Sequence, residues 1–156
     1  MRERKVFMRH GFRLGVVEDD PDDRLFLEIA LARAGLKLPI QFFTDGVEAI
    51  EYLEESRLRS HQTDHPFPTM LLLDLKLPRR DGFEVLRWIR SQPGLRRMVV
   101  VVFTSSDLPK DVNLAYELGA NSYLVKNNFE DLPRLLREID HYWRRTNQFP
   151  DYEMAG

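Results

Sequence analysis

The fold is decided by residues 69–82, which read TMLLLDLKLPRRDG. Residues 70–73 form a short apolar run between a proline upstream and a turn rich in proline, aspartate and glycine downstream. This pattern is typical of a strand that is buried on both faces of a sheet. Asp74 would then stand at the carboxyl end of a central strand, the edge where α/β sheets bind ligands. The alternative interpretation at this point is that Asp74 only caps the turn that follows.

Four more short apolar runs repeat this pattern along the chain, and a helical pattern follows each of the five. The strands are predicted at residues 13–18, 40–44, 70–73, 98–106 and 122–126. Parallel neighbours need a crossover connection, and a helix supplies it. The sequence therefore predicts an α/β domain in which a five-stranded parallel sheet is doubly wound with five helices.

The first predicted helix begins at Pro21, which suits the first turn of a helix, and stops at Gly35. Its apolar residues recur at helical spacing, which is why a helix is predicted here. These residues are Leu25, Phe26, Ile29, Ala30 and Ala34.

The last predicted helix has one continuous apolar face. The residues assigned to the core are Leu132, Leu135, Leu136 and Ile139. Tyr142 and Trp143 follow beyond the expected sheet edge, where large aromatic side chains favour an interface. The sequence thus suggests a homodimer through this end of the helix.

The composition limits the class of protein. The chain has 156 residues, which suits one domain, predicted at 13–146 between an N-terminal extension (1–12) and a C-terminal tail (147–156). The net charge of −2 predicts neither a nucleic acid nor a membrane partner. The absence of cysteine excludes disulfides, thiolate zinc sites and cysteine nucleophiles, and it fits the cytoplasm. No apolar run approaches the roughly 20 residues of a membrane span.

A polar segment that ends in two prolines, residues 56–68, is predicted to be a surface loop. It contains His61 and His65, which have the four-residue spacing of a helical metal pair. A metal site is disfavoured here because the prolines argue against a helix and no third ligand lies nearby.

Charged residues stand at the ends of the predicted strands. If strands one, three and five are neighbours at the centre of the sheet, one crevice receives Glu18, Asp19, Asp74 and Lys126. Carboxylates crowded in this way repel one another unless a cation lies among them. Because only oxygen ligands are available, the cation that suits them is Mg²⁺.

Hydroxyl groups complete this predicted crevice. Thr104 and Ser105 stand at the end of strand four and can donate hydrogen bonds beside Asp74. Lys126 can pair with Asp74 or with a phosphoryl oxygen. A carboxylate with such neighbours is positioned to attack an electrophilic phosphorus and to carry an acyl phosphate.

Four ordered motifs resemble the receiver domain of two-component response regulators, over roughly residues 13–145. They are Val16-Val17-Glu18-Asp19; Leu71-Leu72-Leu73-Asp74 with Leu77-Pro78 and Asp81-Gly82 behind it; Val102-Phe103-Thr104-Ser105; and Gly119-Ala120-Asn121-Ser122-Tyr123-Leu124-Val125-Lys126. The resemblance implies the flavodoxin-like receiver fold and a phosphoacceptor that assists its own phosphorylation and dephosphorylation, not a conventional enzyme.

The same resemblance implies a role for each matching residue. Asp74 would accept the phosphoryl group, and Lys126 would pair with it. Asp19 would bind Mg²⁺ directly, Glu18 mostly through water, and the backbone carbonyl of Lys76 would be a further ligand. The switch residues would be Thr104 and Tyr123. The chain departs from the family at Asn127, where proline usually follows the lysine, and Lys76 lies where the family is variable.

One subset of the family is more similar than the rest. The long loop before strand three, residues 74–82, Asn127 and the long last helix resemble single-domain response regulators paired with cyanobacterial and bacterial phytochromes. The resemblance implies a histidine kinase partner, a phytochrome. Since no effector domain is expected after residue 145, output would be a protein contact or, alternatively, the chain would act only as a phosphate sink.

Two rival functions fit the sequence less well. A Mg²⁺-dependent phosphatase with an aspartate nucleophile needs a second acid two residues later, and Lys76 occupies that position. A flavodoxin-like FMN carrier needs a phosphate loop rich in glycine and hydroxyls after strand one. Residues 18–23 are acidic instead and would repel phosphate unless a metal intervenes.

Overall fold

The computed structural model describes residues 11–58, 66–150 and 152. Within these ranges five strands form one parallel sheet in the order β2-β1-β3-β4-β5. The strands are β1 Leu14–Val17, β2 Ile40–Phe43, β3 Met70–Leu73, β4 Val99–Thr104 and β5 Ser122–Val125.

A helix follows each strand and covers one face of the sheet. The helices are α1 Pro21–Arg33, α2 Gly46–Leu58, α3 Gly82–Ser91, α4 Pro109–Glu117 and α5 Leu132–Ile139. A short 3-10 turn, Phe129–Asp131, leads into α5, and a π-helical segment, Asp140–Thr146, continues it. The predicted doubly wound α/β fold is therefore confirmed.

The core has two layers, one on each face of the sheet, and β3 contributes to both. Leu71 and Leu73 belong to the layer under α2 and α3. Met70 and Leu72 belong to the layer under α1 and α5. All four residues are buried, which agrees with the prediction of a strand covered on both faces.

The prediction that β1 and β5 both lie beside β3 was partly wrong. β1 does pair with β3, but β4 lies between β3 and β5, so β5 is an edge strand. The burial of the strands shows the difference, because all four residues of β5 are only partly buried whereas β4 is almost entirely buried. Lys126 must consequently reach across the end of β4 to meet Asp74.

The apolar spacing that predicts α1 does not identify the face that the helix buries. Leu27, Ala30 and Leu31 are buried, whereas Leu25 and Ile29 are exposed. Phe26 is exposed as well, and its ring lies 4.2 Å from that of Phe129 between centroids. The helix therefore presents an apolar stripe to solvent, which soluble proteins often use for binding when it is contiguous. We call Leu25, Phe26, Ile29 and Phe129 the α1 stripe.

Arg90 of α3 joins two segments of the chain. Its guanidinium donates two hydrogen bonds to Gly119 O, at 2.9 and 2.7 Å, and one to Asn121 Oδ1 at 3.0 Å. It also donates to Met98 O at 2.7 Å and to Arg96 O at 3.1 Å. Because burial disfavours its charged form, the pKa of Arg90 is lowered. This side chain thus connects α3 to the start of β4 and to the loop before β5.

Two aromatic residues of the predicted C-terminal tail pack on the domain. Phe149 contacts Trp143 and Phe12, with ring centroids 6.3 and 5.9 Å apart. Tyr152 is 5% exposed, and its hydroxyl donates a hydrogen bond to Thr69 O at the start of β3. Both contacts lie away from the strand ends that carry Asp74.

The candidate histidine pair, His61 and His65, lies outside the described residues. Among the residues that the structure does describe, no helix is both long and apolar enough to cross a membrane.

Candidate functional site

The carboxyl ends of four strands converge on Asp74. Asp74 follows β3 directly, and its N–H continues the sheet by donating to Val17 O at 3.1 Å. Glu18 follows β1, Thr104 ends β4 and Lys126 follows β5. Because parallel strands end at the same edge, these side chains meet there although they are far apart in the sequence.

Asp74 is 8% exposed, and both of its carboxylate oxygens accept hydrogen bonds. Oδ1 accepts from Thr104 Oγ1 at 2.7 Å and from Leu75 N–H at 2.7 Å. Oδ2 accepts from Lys126 Nζ at 3.0 Å. The predicted meeting of Asp74, Thr104 and Lys126 is thus present in the structure, and Asp74 is more than a cap of the next turn.

Lys126 contacts three carboxylates at once. Nζ donates to Glu18 Oε2, to Asp74 Oδ2 and, at 3.0 Å, to Asp23 Oδ2. Asp23 is not among the site residues predicted from the sequence. A signal was available, because Pro21 at the start of α1 places Asp23 in its first turn, five residues after Glu18.

The acidic loop between β1 and α1 is held by its own side chains. Asp20 caps α1 by accepting from Asp22 N–H at 2.8 Å and from Asp23 N–H at 3.4 Å. Arg24 Nη1 donates to Glu18 O at 2.8 Å and to Asp19 O at 2.9 Å. These contacts fix the backbone that carries the two acids predicted to bind a metal.

The charges of this cluster shift the pKa values of its members. Burial and the charge of Asp74 raise the pKa of Glu18 from 4.5 to about 7, although Lys126 acts in the opposite direction. Burial acts to lower the pKa of Lys126, but the hydrogen bond with Glu18 and the charges of Asp74 and Glu18 outweigh it, so the pKa is raised. Lys126 is therefore a permanent cation, whereas Glu18 titrates near neutral pH.

The raised pKa of Glu18 predicts a pH-dependent stability in metal-free protein. The folded state keeps a proton that the unfolded state releases between pH 4.5 and about 7, so stability falls as pH rises through this range. Relative to Glu18→Gln, which cannot titrate, the wild type should lose up to about 3 kcal/mol. Urea unfolding in EDTA at several pH values measures this difference. Glu28→Gln, in the exposed part of α1, is the matched control, and equal pH profiles for all three proteins would contradict the prediction.

The acids at this edge fit a divalent cation. One carboxylate oxygen from each of Glu18, Asp19 and Asp74 lies within 4.8 Å of the other two. All the donors are hard oxygens, which Mg²⁺ and Mn²⁺ accept. Asp19 is exposed, and it lines a cleft of about 460 Å³ together with Lys76. The chemistry of the donor set therefore agrees with the Mg²⁺ site expected from the sequence.

The other two predicted site residues lie beside this cluster. Tyr123 donates from its hydroxyl to Ser106 O at 2.8 Å, in the loop after β4. Ser105 is exposed and lines a cavity of about 300 Å³ between α1 and α5, next to Lys126 and Phe129. Ser105 thus faces a different side of the site from Thr104, which contacts Asp74.

Comparisons with known proteins agree on one family. The response regulator receiver domain family matches residues 14–139. The probable methanogenesis regulatory protein FilR2 of Methanothrix harundinacea is 39% identical over 141 residues, which cover 89% of this chain and 88% of that protein. The response regulator Rcp1 of Synechocystis sp. is 35% identical over 136 residues, which cover 86% of this chain and 90% of Rcp1.

Solved structures show the same similarity. The crystal structure of the Mn²⁺-bound form of Rcp1 has a TM-score of 0.76 at 34% identity, and the match covers 89% of this chain and 99% of that one. The phosphorylated cyanobacterial phytochrome response regulator RcpA has a TM-score of 0.78 at 33% identity, with 90% and 99% of the two chains covered.

Proposed function

Since the chain belongs to the response regulator receiver domain family, we propose that it accepts a phosphoryl group on Asp74 from a histidine kinase. The observation that carries the proposal is the environment of the Asp74 carboxylate, which combines a hydroxyl from Thr104 with the ammonium of Lys126. Positioning and charge neutralisation of this kind are the main contributions that proteins make to phosphoryl transfer.

In the proposed reaction an oxygen of Asp74 attacks the phosphorus of a phosphohistidine. The P–N bond breaks, its electron pair returns to the imidazole, and the phosphoryl group becomes part of an acyl phosphate. Lys126 and Thr104 lie within 3.0 Å of the carboxylate. After the transfer both can donate hydrogen bonds to the phosphoryl oxygens, which then carry the negative charge. Mg²⁺, held by Glu18 and Asp19 with Asp74 and the carbonyl of Lys76, would neutralise charge on the acids and the phosphoryl group.

The kinase that we propose is a phytochrome, and the cytoplasm is the compartment that we propose for the encounter. The support is the similarity to RcpA, which is a phytochrome response regulator. The α1 stripe supports a protein donor, because its members are between 38% and 51% exposed, and Phe129 stands three residues after Lys126. Phe129 lines the same cavity as Lys126, which contacts Asp74, so a partner that covers the stripe would lie near the phosphoacceptor.

For the output, we propose a switch that acts through protein contact. The phosphoryl group carries about −1.5 to −2 charge units next to Thr104 and Lys126, in place of the single charge of the Asp74 carboxylate. Tyr123 is linked to the loop after β4 through Ser106, whose hydroxyl donates to Asp111 at 2.6 Å. A shift of Thr104 toward the phosphoryl group would therefore change the surface around α4.

The phosphorylation of the wild-type chain tests the proposal. Incubation with acetyl phosphate and Mg²⁺ should add about 80 Da, the mass of one phosphoryl group, and EDTA should prevent the addition. Peptide mapping after borohydride reduction should place the modification on Asp74. An unmodified chain, or a phosphoryl group on another residue, would overturn the assignment.

We also propose a homodimer through the last helix, and the exposure of its two aromatic residues supports one of them as the contact. Trp143 is partly buried against its own core and against Phe149, whereas Tyr142 is 52% exposed. Tyr142 is therefore the residue on which the proposal now depends. Light scattering at tens of micromolar should give twice the 18.5 kDa monomer mass for the wild type and the monomer mass for Tyr142→Ser. A wild-type monomer, with and without phosphorylation, would contradict the dimer.

A further inference from the structure

We propose that Arg79 and Asp45 form a clamp that positions the loop between β3 and α3 for metal binding. The loop covers residues 74–81, and its Lys76 carbonyl is one of the expected metal ligands. The inference rests on the proposed function, because it concerns the Mg²⁺ site of the phosphoacceptor. Neither residue contacts the site, so both would be positioning residues.

The backbone of Arg79 requires an external support. Its φ of 65° is in the left-handed region, where it is the one residue other than glycine among those that the structure describes. This conformation is disfavoured for a residue with a Cβ, and it persists where the surroundings hold it. The chain bends at residues 78–80, where Arg80 N–H donates to Pro78 O at 2.8 Å, so the path of the loop that carries Lys76 depends on this residue.

The side chain of Arg79 supplies that support by bridging to another loop. Nε donates to Asp45 Oδ2 at 2.8 Å, and Nη2 forms an ion pair with the same oxygen at 2.7 Å. Asp45 stands just before α2, and its side chain is 13% exposed, against 58% for that of Arg79. The acceptor is thus the fixed partner, and the arginine reaches across to it.

Asp45 is itself held in place by the start of α2. Its Oδ1 accepts from Glu48 N–H at 2.8 Å, while Glu48 Oε2 accepts from Thr44 N–H at 2.9 Å. Burial acts to raise the pKa of Asp45, but the hydrogen bonds from Glu48 and Arg79 outweigh it, so the pKa is lowered. The carboxylate is consequently ionised, and the Glu48 N–H and Arg79 orient it from two sides.

Two glycines let the loop pack without side chains between the backbones. A Cβ on Gly46 would lie 2.1 Å from Arg80 O, and a Cβ on Gly82 would lie 2.1 Å from Asp74 O. The loop also closes on itself, since Gly82 N–H donates to Leu75 O at 2.8 Å. The loop therefore packs against the start of α2 on one side and against the start of α3 on the other. The Arg79–Asp45 clamp stabilises the contact with α2.

The clamped loop borders the metal site. Lys76 and Asp19 line the same cleft, and Lys76 stands two residues after Asp74 and three before Arg79. Groups that orient the ligands of a metal commonly change its affinity by about 10- to 100-fold when they are removed. The clamp should act in this way on the one ligand that is a backbone carbonyl.

Calorimetric titration of metal-free protein with Mg²⁺ tests the clamp. Arg79→Gly keeps the left-handed backbone accessible but removes the guanidinium, and Asp45→Asn keeps an acceptor for Glu48 N–H but removes the charge. Each should weaken Mg²⁺ binding about tenfold. The double variant should be no weaker than either single one, because both remove the same interaction. Arg80→Ala, at the neighbouring exposed arginine, should bind as the wild type does.

The outcomes separate the clamp from the proposed function. If the wild type binds Mg²⁺ and both single variants bind it equally well, the clamp is wrong and the proposed function stands. If the wild type binds no Mg²⁺, the proposed metal site is wrong and the clamp fails with it. Additive losses of Mg²⁺ affinity in the double variant would also overturn the clamp. So would a fall in the thermal midpoint of the metal-free variants that parallels their loss of affinity, because it would mean that the two residues only stabilise the fold.

Discussion

Asp74→Asn is expected to abolish the phosphoryl adduct that acetyl phosphate and Mg²⁺ form on the wild type. Asparagine has nearly the same shape, and its oxygen can still accept hydrogen bonds from Thr104 and Leu75. The amide is not a nucleophile at phosphorus, so the loss should be complete, not partial. Intact mass measurement over the full time course detects it.

A matched variant makes this result specific. Asp107→Asn also removes one carboxylate from the same edge of the sheet, but Asp107 is exposed in the loop after β4. It should form the adduct as the wild type does. An adduct on Asp74→Asn would show that another residue accepts the phosphoryl group, whereas the loss of the adduct in both variants would point to a general effect of charge.

Arg90→Lys is expected to lower the free energy of unfolding by about 3 kcal/mol, although it conserves the charge. Arg90 donates five hydrogen bonds to four oxygens, and two of them converge on Gly119 O. Lysine offers one nitrogen and cannot reach acceptors on both segments, so the partly buried carbonyl of Met98 or that of Gly119 would lose its donor. Urea unfolding measures the difference.

The control for this prediction is on the same helix. Arg87 is exposed on α3, and Arg87→Lys should change the free energy of unfolding by less than about 0.5 kcal/mol. Equal stabilities for Arg90→Lys and Arg87→Lys would mean that the hydrogen bonds of Arg90 are replaced by water without loss. The m-value should stay constant in both variants, because neither changes the surface that unfolding exposes.

The chemistry of the site was predictable because it depends on where strands end. An apolar run that stops at a polar residue identifies a strand end, and in a parallel sheet every such end lies at one edge. Asp74, Thr104 and Lys126 were found in this way, and the structure places Thr104 and Lys126 within 3.0 Å of the Asp74 carboxylate. Asp23 was missed because it belongs to a helix, and its contact with Lys126 depends on the direction in which that helix leaves the sheet.

The order of the strands was not predictable from the apolar runs. Each run shows that a strand is covered, but not which strand lies beside it. The placement of β5 next to β3 was wrong for this reason, and only the partial burial of residues 122–125 identifies the edge. Lys126 reaches Asp74 nevertheless, because a lysine side chain is long enough to extend past the end of one intervening strand.

The buried face of α1 was obscured by apolar residues on its other side. Leu25 and Ile29 have the same spacing as a core face, yet the helix buries Leu27 and Leu31. Periodicity identifies a helix, and it cannot by itself distinguish a face that packs on the sheet from one that a partner covers.

The contacts of Arg90 and Tyr152 could not be predicted either, since hydrogen bonds to backbone oxygens leave no pattern in the sequence.

In the proposed switch, the hydrogen bond from Thr104 to Asp74 limits the difference between the unphosphorylated and the phosphorylated state. The hydroxyl lies 2.7 Å from the carboxylate before any phosphoryl group is attached. In the proposed switch, phosphorylation can shift the equilibrium only by the free energy that it adds between the two states. Because the hydroxyl already contacts the carboxylate, only its remaining movement toward the phosphoryl group contributes to that difference. The unphosphorylated chain would therefore already populate the signalling conformation in part. Phosphorylation would then increase that population by only a small factor.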